Sequence, residues 1–150
     1  MARMERTFHV EAAPDVVWDV IRDVERWPEW TPSIRSLELI GGGQLGPDAS
    51  AKIGLRGAGT SVWRVTAYDP AARQFVWEAS VLPGVRVSGG HRAEADSDGT
   101  RATLWTETLG PLSTVLGLVL MRMGARNVRD EEAGLKARSE SMARSEAYRI

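Results

Sequence analysis

The chain has 150 residues, 43% of them hydrophobic and 26% charged, with a formal net charge of -1. That balance describes one globular domain, expected over residues 1–150, long enough for a sizeable core, and it excludes an electrostatic nucleic-acid footprint. The absence of cysteine excludes disulfides, thiol nucleophiles and thiolate zinc sites.

Residues 1–5 lack the apolar segment of a signal peptide. The longest apolar run, 112–123, falls short of the 18 or so residues that a spanning helix needs. A cytoplasmic protein without stable membrane insertion is the expectation. Residues 5–12 alternate polar and apolar, with Phe8, Val10 and Ala12 on one face, and predict a first strand. Pro14 then opens a helix, with Ala13 or Asp15 near its cap. Val17, Trp18, Ile21 and Val24 repeat on it at helical spacing. Pro28 and Pro32 break regular helix in the Trp27–Trp30 region, which predicts a short second helical turn and a bend.

From there the chain reads as a meander of strands over 34–40, 50–56, 61–68, 74–79, 85–95 and 100–109, separated by Gly, Pro and Asp turns. One apolar face can be followed through it: Ala51, Ile53 and Leu55, then Trp63, Val65 and Ala67, then Phe75, Trp77 and Ala79, then Val85, Val87 and Gly89. Continuing the phase brings His91, Ala93 and Ala95 inward, followed by Thr103, Trp105 and Glu107. A one-residue change in the Asp98-Gly99 turn brings Leu104 and Thr106 inward instead.

The last stretch begins at Gly110-Pro111 and runs for about forty residues without another proline, far longer than the average helix. Pro111 suits its first turn, and Ser113 is an alternative cap. Its first half shows two apolar stripes. One is Leu112, Val115, Leu116, Val119 and Met123; the other is Leu118, Met121, Ala125 and Val128, thinning to Leu135 and Met142. One sheet cannot cover both, so the surplus predicts a homodimer contact or lid packing. Gly117 and Gly124 are expected to make room for a ligand or a strand, and Asp130-Glu131-Glu132 reads as a solvated face.

The order of strand, helix, Trp-rich bend, six-strand meander and long terminal helix resembles the START/Bet v 1-like (SRPBCC) superfamily, with its polyketide cyclase/dehydrase and lipid-transport group. The residues that carry the resemblance are Val10-Glu11-Ala12-Ala13-Pro14-Asp15-Val16-Val17-Trp18 and Asp23-Val24-Glu25-Arg26-Trp27-Pro28-Glu29-Trp30. Tyr68-Asp69-Pro70, Pro83-Gly84 and Gly110-Pro111 add to it. The resemblance implies an α+β helix-grip fold: an antiparallel sheet of about seven strands wrapped around the long C-terminal helix, two short helices after the first strand, and a cavity between sheet and helix.

In such a cavity His91 beside Glu107 is the candidate acid–base pair, or else a satisfied buried polar pair. Trp63, Trp77, Val87, His91, Trp105, Glu107, Leu116, Val119 and Met123 are the candidate ligand-binding residues; for the three tryptophans, plain core packing is the alternative. No metal site or cofactor is expected, since His9 and His91 are the sole histidines and no phosphate loop is present. The resemblance implies binding of a hydrophobic small molecule (a lipid, polyketide or aromatic metabolite). The alternatives are a polyketide cyclase or dehydratase using His91 and Glu107, and a protein-interaction module.

Overall fold

A computed structural model describes residues 2–149. Strand β1 (Ala2–Val10) is followed by helix α1 (Pro14–Arg22) and a 3-10 turn (Val24–Glu29). Then come β2 (Ile34–Leu39), β3 (Ser50–Leu55), β4 (Gly59–Asp69), β5 (Gln74–Leu82), β6 (Val85–Asp96), β7 (Gly99–Leu109) and helix α2 (Ser113–Arg149). The strands form one antiparallel sheet in the order β1-β7-β6-β5-β4-β3-β2. The α1 segment carries the chain from one edge strand to the other, and the meander then fills the sheet back. No helix among the described residues is long and apolar enough to cross a membrane.

Helix α1 starts where Pro14 takes a first-turn position, so its missing N–H leaves no orphan donor. Its Val17, Trp18, Val20 and Ile21 are buried. Trp18 packs near Tyr68 and Phe75 with ring centroids 6.0 and 6.5 Å away, a core role. At the other end of the chain, Gly110 holds φ at +105°, and a side chain there would meet the Gly84 carbonyl at 2.4 Å. Only glycine serves such a turn. It presses the end of β7 against the β5–β6 turn, where Leu112 N–H donates to Gly84 O at 3.1 Å. Pro111 lies just before the helix, and the hydroxyl of Ser113, its first residue, donates to Gly110 O at 2.8 Å.

Helix α2 lies across the sheet on the expected Val128, Leu135 and Met142 in its second half, whereas its first half turns inward on neither expected stripe. The residues turned to the sheet and α1 include Gly117, Leu120, Gly124, Val128, Leu135 and Met142, spaced by three, four or seven. Leu112, Val115, Leu118 and Val119 stay exposed, Val115 at 78%. At Gly134 the helix comes so close to the Trp30 backbone that a side chain could not be inserted.

The acidic triplet is not a solvated face. Consecutive helical residues point about 100° apart, so the three carboxylates reach three different partners. Asp130 accepts from the Ser33 hydroxyl at 2.5 Å, Glu132 from Arg6 at 3.0 Å, and Glu131 approaches His91.

Glu140 fastens the far end of α2. Its Oε2 accepts from Lys136 Nζ at 2.7 Å and from the Glu11 amide at 2.8 Å. The Lys136 bond holds its carboxyl below the ordinary value of 4.5 against the opposing effect of burial, and the Glu11 amide adds to the lowering. A depressed folded value means the contribution to stability is complete above pH 4.5 and is lost as pH falls through the folded value. Glu140→Gln is therefore expected to lower stability at pH 7 by about 1 kcal/mol. Its penalty should shrink as pH falls below 4.5, measured by urea denaturation across pH 3–7. An equal penalty at both ends of that range would contradict this.

Candidate functional site

The site is a cavity of about 410 Å³ between the sheet and the middle of α2. Strands β3 to β7 supply Ile53, Leu55, Trp63, Trp77, Val87, His91, Thr106 and Thr108 to its wall. Trp27 reaches in from the 3-10 turn, and α2 contributes Leu120, Met123, Gly124, Asn127, Val128 and Glu131. The strand side chains arrive on one face by the two-residue alternation of a pleated strand. Trp63 Nε1 donates to Ser61 Oγ at 2.9 Å, which holds one indole wall in place.

His91 forms the polar end. It is 4% exposed, stacked on Phe75 with ring centroids 4.5 Å apart and planes 18° apart, and met edge-on by Trp27 at 4.9 Å and Trp77 at 6.1 Å. Trp27 is itself anchored by its Nε1–H donating to Ile21 O at 2.9 Å. The His91 Nε2 lies 3.7 Å from Glu131 Oε2, just beyond hydrogen-bond length. Its Nδ1 has no partner among the described residues, and neither has the hydroxyl of Thr108 further along the wall.

Of the expected binding residues, Trp63, Trp77, Val87, His91, Trp105 and Met123 border this cavity. Glu107 and the Trp105 ring do not join His91. The β6–β7 hairpin pairs Asp96 with Gly99 across a two-residue loop, so odd residues of β6 stand opposite even residues of β7. His91 faces Leu104, and Trp105 stands opposite Gly90 on the other side of the sheet. Trp105 touches the cavity boundary, yet a Cβ on Gly90 would lie 1.9 Å from its ring. The ring therefore covers Gly90 on the far face, between Arg3 and Arg92 at 5.3 and 5.6 Å. The Glu107 carboxylate accepts from Arg3 on that same face. The His91–Glu107 pair does not form, and the alternative register is the one adopted.

Two helix residues are displaced as well. Leu116 is outside the lining, and Val119 is 62% exposed. The helix phase is set by the close approach of Gly124 to Thr106, where an added Cβ would sit at 3.0 Å. That contact points Leu120 and Asn127 inward instead. The same alternation fails once more in β4: a bulge between Val65 and Ala67 turns Ala67 out and brings Tyr68 against the core. Glu131 was legible in principle. It lies on the buried stripe with Gly124, Val128 and Leu135, and a carboxylate on an apolar stripe marks a site.

A model of the family described as polyketide cyclase / dehydrase and lipid transport matches residues 1–140. No curated protein sequence matches the chain. Solved structures that share the fold include an aromatase/cyclase, a di-domain ARO/CYC protein and a START superfamily protein. The Zhui aromatase/cyclase from Streptomyces sp. R1128 is 20% identical with a TM-score of 0.71, covering 93% of each chain. The di-domain ARO/CYC BexL from the BE-7585A biosynthetic pathway is 25% identical, with a TM-score of 0.74 over 93% of this chain and 47% of that one. A START superfamily protein from Mycobacterium smegmatis is 16% identical with a TM-score of 0.73, covering 93% of this chain and 98% of that one.

Proposed function

From the premise that the chain belongs to the polyketide cyclase/dehydrase and lipid-transport family, we propose that it binds a hydrophobic small molecule between the sheet and α2. The observation that carries this is the cavity itself. Protein interiors are close-packed, with few voids larger than a water, whereas about 410 Å³ is left open here behind indole, aliphatic and thioether walls. Such walls with a few convergent polar groups are the usual make-up of a ligand pocket. Native mass spectrometry of the purified protein should show a co-purified apolar molecule, and adding it back to stripped protein should raise the melting temperature. Stripped protein that no lipid, polyketide or aromatic metabolite stabilises would sink the reading.

A second reading, a cyclase or dehydratase acting on a polyketide-like chain, is favoured by the pairing of His91 with Glu131. An imidazole and a carboxylate sharing a cavity wall can take a proton from one ligand atom and return it to another. In this reading Glu131 replaces Glu107 as the partner of His91. His91→Ala is expected to remove turnover of a ligand so identified while leaving its affinity within about threefold. Unchanged turnover would leave binding as the function.

A further inference from the structure

We infer that the cavity selects ligands whose polar end donates hydrogen bonds and bears no negative charge: an alcohol, a phenol or a protonated amine, not a free carboxylate. This rests on the binding reading above and specifies the chemistry of its ligand.

The charges around the cavity are one-sided. Among the described residues that line it there is no lysine and no arginine; Glu131 and His91 are its ionisable groups. Several cations of the surrounding elements are turned elsewhere. Arg3 and Arg92 lie against Trp105 on the far face of the sheet, Arg6 is bound to Glu132, and Arg122, Arg126 and Arg129 point from α2 into solvent. The Glu131 side chain is 16% exposed, and its Oε2 stands 3.7 Å from His91, too far for a hydrogen bond. Its oxygens retain the capacity to accept from a ligand.

A carboxylate brought to this end of the cavity would meet the Glu131 carboxylate in a site of low polarity, with no lysine or arginine in the described lining to offset it. Like charges in such a place are strongly unfavourable. A hydroxyl or ammonium group does the reverse: it gives Glu131 the donor it lacks. The indole walls of Trp27, Trp63 and Trp77 also tolerate a cation far better than an anion.

The test compares three probes with the same ten-carbon body. 1-Decanol, decylamine and decanoate are titrated calorimetrically, below their aggregation limits at pH 7.4, into the full chain and into Glu131→Gln. The wild-type protein is expected to bind decanol and decylamine at least about tenfold tighter than decanoate, and Glu131→Gln should bring decanoate to within about threefold of decanol. Decanoate binding the wild type as tightly as decanol overturns the inference, as does a gap that Glu131→Gln leaves unchanged. If none of the three binds either protein, the binding reading itself fails and the inference falls with it.

Discussion

Gly134→Ala is expected to destabilise the protein by about 2–3 kcal/mol, although alanine is the better helix former. Intrinsic propensity alone predicts a gain of about 1 kcal/mol from this change in the middle of a long helix. The tertiary contact reverses the sign. A Cβ at this position would sit 1.8 Å from the Trp30 carbonyl oxygen and 2.8 Å from its carbon. Those are backbone atoms, so no side-chain rotation relieves the clash. The turn cannot retreat easily, because Thr31 N–H donates to Trp27 O at 2.9 Å and both Trp27 and Thr31 are buried. The helix must move away instead, and it would take the cavity wall with it. Differential scanning calorimetry should show a melting temperature lower by about 5–10 °C. An unchanged or higher value would mean that α2 does not lie against the turn as described.

Phe75→Ala is expected to cost more, about 3–5 kcal/mol. Phe75 is fully buried at the centre of the aromatic cluster, with ring centroids 4.5 Å from His91, 5.1 Å from Trp77, 6.2 Å from Trp27 and 6.5 Å from Trp18. Truncation removes the transfer energy of the ring and leaves a hole beside four stiff neighbours that cannot collapse into it. It also removes the plane that orients the His91 imidazole. Phe75→Leu fills most of that hole and should lose only about 1–2 kcal/mol. Urea denaturation of the two variants gives the comparison. A loss below about 1 kcal/mol for the alanine variant would contradict a close-packed cluster.

Much of the architecture was legible because it depends on local chemistry. Pro14 opening α1, the Pro28 and Pro32 interruptions, and the glycine and proline turns between strands each act within a few residues. The near-unbroken polar–apolar alternation in β3 and β5 announced faces that the sheet does bury. The same alternation, carried into β4 and β6, placed Trp63, Trp77, Val87 and His91 on the face that borders the cavity. Phase did not follow. Whether Trp105 or Leu104 shares a face with His91 turns on whether the hairpin loop holds two residues or three, and both suit the Asp98-Gly99 turn. Ala67 was misplaced for a similar reason, since a bulge has no distinctive residue here.

The amino-acid sequence alone fixes the kind of molecule this is: an antiparallel sheet, a long terminal helix and an aromatic interior between them. Those follow from periodicity, turn residues and the sheer number of indoles, all of which act at short range. Only the tertiary structure decided which carboxylate meets His91. Glu107 and Glu131 both lie within reach on paper, one on the adjacent strand and the other forty residues further along. The choice is made by two contacts that no local pattern records: the β6–β7 pairing that turns Glu107 toward Arg3, and the approach of Gly124 to Thr106 that sets the rotation of α2. A one-residue step flips a strand side chain to the other face and turns a helical one by about 100°. The geometry of this site therefore rests on register and rotation, which are properties of packing and not of any short stretch of chain.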